Sequence, residues 1–153
     1  MKEQEKVDNQ NKNDIPEPSS SISLEILVFI HKIYMFIYYI VLLGLFMFKR
    51  YAFDYDYGRI IPDVIIGIIS LILNLFRLRF TSIGNKTERA LILLIAIILG
   101  IVNLFGYIYF IVWQKYVTYF DVVFSAIGVI ITFLEIFFCI LTSFNIKVHE
   151  KSD

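Results

Sequence analysis

The residues able to do chemistry are sparse and lie inside apolar sequence. Glu135 stands near the middle of one such run, in the series Ser125, Gly128, Thr132, Glu135, Cys139 and Thr142. Steps of three and four residues place a series on one face of an α-helix. A second stripe is Asp63, Gly67, Ser70, Asn74 and Arg77, and a third is Ala96, Gly100 and Asn103, with Tyr107 one turn on. A charged side chain at the centre of a bilayer costs at least roughly 2.5–3.5 kcal/mol. Glu135 is therefore expected to be protonated or paired with a donor. Asn103 lies at similar depth in its own stripe and donates through its amide, so a Glu135–Asn103 contact is expected inside the bundle. A proton relay needs titratable neighbours at similar depth. His31 and Lys32 lie about two turns into the first run, and Asp63 and Arg77 near opposite ends of the second, so a relay is not expected.

Other chemistries lack their residues. There is no phosphate-cradling glycine loop, no Cys/His metal spacing and no nucleophile elbow. His31 and His149 are far apart, and the single cysteine, Cys139, excludes an internal disulfide framework. The expectation is a chain that is not an enzyme, with no catalytic residue, cofactor, metal, small-molecule substrate or nucleic-acid partner.

The elements carrying the stripes follow from hydrophobicity. The chain of 153 residues is 58% hydrophobic and 17% aromatic, with formal net charge zero and mean hydropathy +0.72. Spanning a hydrocarbon core takes about 20 mostly apolar residues, and runs of this length satisfy their backbone in lipid as helices. Spans are predicted at about 24–48, 60–79, 90–113 and 121–146. The fold class is all-α, a four-helix transmembrane bundle over 21–146, with polar tails at 1–20 and 147–153. Residues 1–20, with Pro16 and Pro18, are expected to be disordered. The leader is acidic and the first run full length, so that run is read as a retained span rather than a cleavable signal.

Charge sets the expected orientation. Of the 14 Lys and Arg, the N-terminal tail, Lys32, the 77–89 segment and the C-terminal tail hold all but Lys49, Arg50, Arg59 and Lys115. The positive-inside rule then puts both termini in the cytosol. Lys49 and Arg50 sit awkwardly on the far side. Asn85–Lys86–Thr87 is an N-glycosylation acceptor pattern that this orientation keeps from modification. Asp63, just after Pro62, suits a helix start; Ser23 with Glu25 suits the start of the first span. The first span looks different from the rest: Tyr34, Tyr38 and Tyr39 with Phe29, Phe36, Phe46 and Phe48 give it an aromatic surface suited to anchoring, and Tyr51, Phe53, Tyr55 and Tyr57 read as an interfacial belt.

Small residues let helix backbones approach in lipid. The three stripes are either the seams of the bundle or the lining of a pathway or docking face. Arg77, Arg79, Lys86 and Arg89 are candidates for cytosolic contact with a soluble partner or anionic lipid.

The ordered set of residues resembles a known family, the small four-span proteins of the ciliary transition zone of the transmembrane protein 216 and transmembrane protein 17 type. The resemblance runs from Ser19–Ser20 and Leu24–Glu25–Ile26–Leu27 through Tyr38–Tyr39 and Phe48–Lys49. It continues with Asp63, Arg77, Phe80 and Gly84–Asn85, and with the stretch from Glu135 to Thr142. The third span matches only in hydrophobicity and length. Asn74 and Cys139 stand where the family carries acidic residues, which lowers the count of intramembrane acids and weakens any chemistry through them. The resemblance implies a subunit of the tectonic/Meckel-type complex at the ciliary base, with tectonic, meckelin-type and B9-domain partners, supporting cilium assembly and the membrane diffusion barrier. Two other readings stay open. One is a small transporter or channel component with Glu135, Asn103 and Asn74 lining a polar route. The other is an ER-resident assembly factor.

Overall fold

The computed structural model describes residues 20–53 and 56–152. The expected disorder of the N-terminal tail falls on 1–20, of which 1–19 lie outside the described residues, as does Tyr55 of the aromatic belt. Four helices have the length and apolarity to cross a membrane. α1 is Ile22–Ala52, α2 is Tyr57–Lys86, α3 is Ala90–Ile108 prolonged by a π turn over Tyr109–Trp113, and α4 is Tyr119–Ser152. All but α3 run past the ends drawn from hydropathy, because polar residues continue the helix into the headgroup zone, where water and caps satisfy the backbone.

Local chemistry sets the ends. Ser21 caps α1, its hydroxyl accepting from Leu24 N at 3.3 Å, so the cap is Ser21 rather than Ser23. Glu25 sits in the first turn and Lys49 and Arg50 in the last, each favourable to the helix dipole. α2 begins at Tyr57 and carries Pro62 inside it. Asp63 is thus in the second turn, not at the start. Its side chain is buried and accepts from the Tyr109 hydroxyl. The α2–α3 connection is tight. Glu88 takes φ 51°, and Arg89 N donates to Gly84 O at 3.1 Å. A Cβ on Gly84 would lie 3.0 Å from the Leu93 backbone nitrogen, so this close hairpin depends on the absent side chain.

The helices form a ring: α1 packs on α2 and α4, and α3 packs on α2 and α4, with the α3 seams the more extensive. Side chains from diagonal helices meet in the middle, as where the Tyr38 and Tyr107 rings stand 5.3 Å apart. One apolar cluster, toward the chain termini, joins Leu24, Val28, Met35, Leu78, Leu93, Cys139 and Ile146. The other, toward the 114–118 loop, joins Tyr38, Leu42, Phe46, Tyr107 and Phe110. The outer faces are Ile, Leu, Val and Phe, with Phe36 at 69% and Phe133 at 63% exposure, which is the surface lipid requires.

α1 departs from its expected role as an aromatic anchor. Its buried stripe is Leu24, Val28, His31, Met35, Tyr38, Leu42, Phe46 and Lys49. Tyr38 bonds Ser125 at 3.2 Å and the Tyr34 hydroxyl donates to the Phe124 carbonyl. Both tyrosines face protein because their hydroxyls need partners that lipid lacks. Phe29, Phe36 and Phe48 do face outward, as do Tyr51, Phe53 and Tyr57.

Candidate functional site

Between the two apolar clusters lies a layer of charge. Asn74 and Arg77 share the inner face of α2 one turn apart, Glu135 projects from α4 and His31 from α1. Arg77 reaches across the diagonal to Glu135, its Nη1 donating to Oε2. Its Nη2 donates to Asn74 Oδ1 at 3.0 Å and stands 2.9 Å from His31 Nδ1, and its Nε donates to the same Asn74 oxygen at 3.3 Å. His31 Nδ1 lies 3.0 Å from Glu135 Oε1. Asn74 Nδ2 donates to the Tyr107 hydroxyl at 3.1 Å, so α3 joins as well. Arg77 is 1% exposed, and His31, Asn74 and Glu135 are fully buried. The planar guanidinium donates at three nitrogens in one fork, a geometry that suits holding a carboxylate and an amide together.

Three expectations are corrected here. Glu135 pairs with Arg77 and His31, not with Asn103. Asn103 is buried, and its Nδ2 makes no hydrogen bond among the described residues. Titratable groups also do gather at the depth of Glu135. Sequence position hid this because the long Arg77 side chain and the offset of α1 bring Arg77 and His31 to one layer. Arg77, offered as a cytosolic contact, is unavailable for one, being buried in that ion pair. Arg79, Lys86 and Arg89 are exposed.

The remaining stripe residues lie between helices. Gly67 faces Leu42, Phe46 and Phe110, and Gly100 faces Ile136 and the Arg77 stem. Gly128 underlies the Tyr107 ring, where a Cβ would stand 2.6 Å from a ring carbon. Ser70, Ala96, Ser125, Thr132, Cys139 and Thr142 are all buried. The Gly128 contact ties the stripe to the charged layer, because Tyr107 both fills the space over Gly128 and accepts from Asn74.

A second buried ion pair lies at the loop end. Lys49 Nζ stands 2.7 Å from Asp121 Oδ2 and donates to Gln114 Oε1 at 2.8 Å. Asp121 Oδ2 also accepts from Thr118 N at 2.7 Å, closing the first turn of α4 as an acid at the third position of a helix does. Lys49, at the end away from the termini, is thus matched by a carboxylate. At the opposite end, Asn85 exchanges two bonds of 2.9 Å with the Ser21 backbone, so this acceptor asparagine is engaged and buried. Glu25 there accepts from Ser82 at 2.8 Å and pairs with Lys86 at 3.0 Å.

His31, Lys49, Gln114 and Asp121 are site residues that none of the three stripes contains, whereas Tyr107 follows the third. A signal existed for the first two: both continue the three-and-four spacing of the α1 stripe. It was faint because every other face of α1 is also apolar, so no contrast marks the inner one.

A family model described as "Predicted membrane protein", of the transmembrane protein 17 type, matches residues 26–132. That range takes in His31, Lys49, Asn74, Arg77, Tyr107 and Asp121 and stops just short of Glu135. No solved structure matches the chain. With the match covering nearly all of the first three helices and the start of the fourth, the chain belongs to the transmembrane protein 17 family of multi-pass membrane proteins.

Proposed function

We propose that this chain is a non-enzymatic integral membrane subunit of the ciliary transition-zone complex of the tectonic/Meckel type, with both termini in the cytosol. In this role it offers lipid-facing helix surfaces to tectonic and meckelin-type membrane partners and its terminal end to B9-domain proteins. It thereby supports cilium assembly and the diffusion barrier at the ciliary base. The observation that carries the reading is the family match over residues 26–132, with the resemblance described above supplying the cilium.

The buried charge supports assembly over transport. A polar route needs groups that exchange partners with water, whereas Glu135 is fully buried and engaged by Arg77 and His31. Such pairs rank among the costly intramembrane groups that bundles keep when they fix helix arrangement.

The test is to locate a tagged chain in ciliated cells and to identify what purifies with it. Enrichment at the ciliary base, with transition-zone membrane proteins in the eluate, is expected. A uniform ER or plasma-membrane distribution would overturn the proposal in favour of an assembly factor. Ion or solute flux in reconstituted vesicles that Glu135→Gln abolishes, with complex formation intact, would overturn it in favour of a transporter.

A further inference from the structure

On the outer side of the α1–α2 seam, toward the chain termini, runs an open groove of about 440 Å³ lined by Lys32, Leu75, Leu78, Arg79, Ser82 and Ile83. Its floor is apolar, and its two cations, one from each helix, are exposed. Neither makes an ion pair among the described residues, in contrast to Arg77, Lys49 and Lys86, each matched to a carboxylate. Ser82 on the groove wall donates to Glu25, and that acid is already matched by Lys86.

Depth makes the missing counter-charge matter. α1 has 31 residues and α2 has 30, about 46 and 45 Å at 1.5 Å per residue, so each overhangs a hydrocarbon core of about 30 Å by about 8 Å per end. Lys32 lies ten residues into α1 from Ile22, and Arg79 seven residues before Lys86. Both then stand roughly 3–7 Å below the hydrocarbon edge, within reach of the phosphate level by snorkelling. Cations converging there over an apolar trough fit one occupant: a phospholipid carrying net negative charge.

We propose that the groove is an anionic-phospholipid site, in the leaflet facing the termini. The lipid phosphate lies between Lys32 and Arg79, and one acyl chain follows Leu75, Leu78 and Ile83. The bidentate fork of Arg79 suits phosphate oxygens, while Lys32 supplies a mobile point charge. The site is independent of any role in the cilium.

The test uses the full-length chain in vesicles of phosphatidylcholine with a minor fraction of phosphatidylserine or phosphatidic acid. The protein is extracted in mild detergent, and co-purifying lipid is measured by mass spectrometry. The wild type is expected to retain anionic lipid above its share of the vesicle. Lys32→Gln/Arg79→Gln should lose roughly tenfold of that enrichment, in line with the attraction of a pair of cations near a membrane surface. Lys32→Arg/Arg79→Lys should keep it. Arg89→Gln/Lys147→Gln, which removes two exposed cations from the same end, should change it less than twofold. All variants should elute as the wild type does on size exclusion, since the replaced side chains are exposed. No enrichment in the wild type would overturn the proposal. So would equal enrichment after Lys32→Gln/Arg79→Gln, or an equal loss in the Arg89/Lys147 variant, which would reduce the effect to general surface charge.

Discussion

The two buried ion pairs solve different problems. Arg77–Glu135 joins α2 to α4 across the diagonal, with His31 and Asn74 filling out its hydrogen bonds and Tyr107 linking it to α3. Lys49–Asp121 joins α1 to α4, helices that are already neighbours, at the end of the bundle and beside a backbone N–H. The central layer engages every helix, so it specifies which faces meet. The end clamp, with Gln114 at the end of α3, fixes only where helices stop relative to one another. A membrane bundle has little hydrophobic drive between its helices, and here the charged layer supplies specificity that apolar packing alone does not.

The central layer should be the more costly of the two to disrupt. Arg77→Leu or Glu135→Leu strands the other charge in the core and should cost roughly 3–5 kcal/mol, read as reduced resistance to unfolding in mixed detergent micelles. Arg77→Leu/Glu135→Leu together should recover much of that loss. If the double variant is no better than the singles, the pair is not the unit that matters. At the clamp, Lys49→Met should cost less, about 1.5–3 kcal/mol, the range for a hydrogen bond to a charged group, because Thr118 N still serves Asp121. A loss equal to that at the centre would erase the distinction drawn between the two regions.

Smaller changes sharpen it. Gly128→Ala puts a Cβ against the Tyr107 ring and should cost about 1–3 kcal/mol as overpacking. Gly44→Ala, where nothing lies within 4 Å, should stay within about 0.5 kcal/mol of the wild type. The smallest effect expected is coupling between Asn103→Leu and Glu135→Gln. With no hydrogen bond between the two side chains, their losses should add within about 0.5 kcal/mol in a double-mutant cycle.

The fold class was legible because hydropathy and run length leave few options in lipid. The stripes on α2, α3 and α4 were legible because Gly, Ser, Asn and Thr contrast with the Ile and Leu around them. What they bond to was not. Helical spacing assigns a face but not the height of a side-chain tip, and Arg77 reaches far enough from its Cα to meet Glu135 from another level. Asn103 is buried on its stripe as expected and still makes no hydrogen bond to Glu135. The inner face of α1 was obscured for the opposite reason: His31 and Lys49 lie among aromatic and aliphatic residues on all sides, and only the partners supplied by α2 and α4 reveal them.

The diagonal pairing has a consequence for biosynthesis. The guanidinium of Arg77 is made 58 residues before the carboxylate that neutralises it, roughly 3–12 s at ordinary translation speeds. During that interval the second helix carries a cation with only His31 and Asn74 for company, at a cost of roughly 2.5–3.5 kcal/mol on insertion scales. Arrival of the fourth helix removes that cost, so a chain cut short before Glu135 leaves Arg77 without its carboxylate.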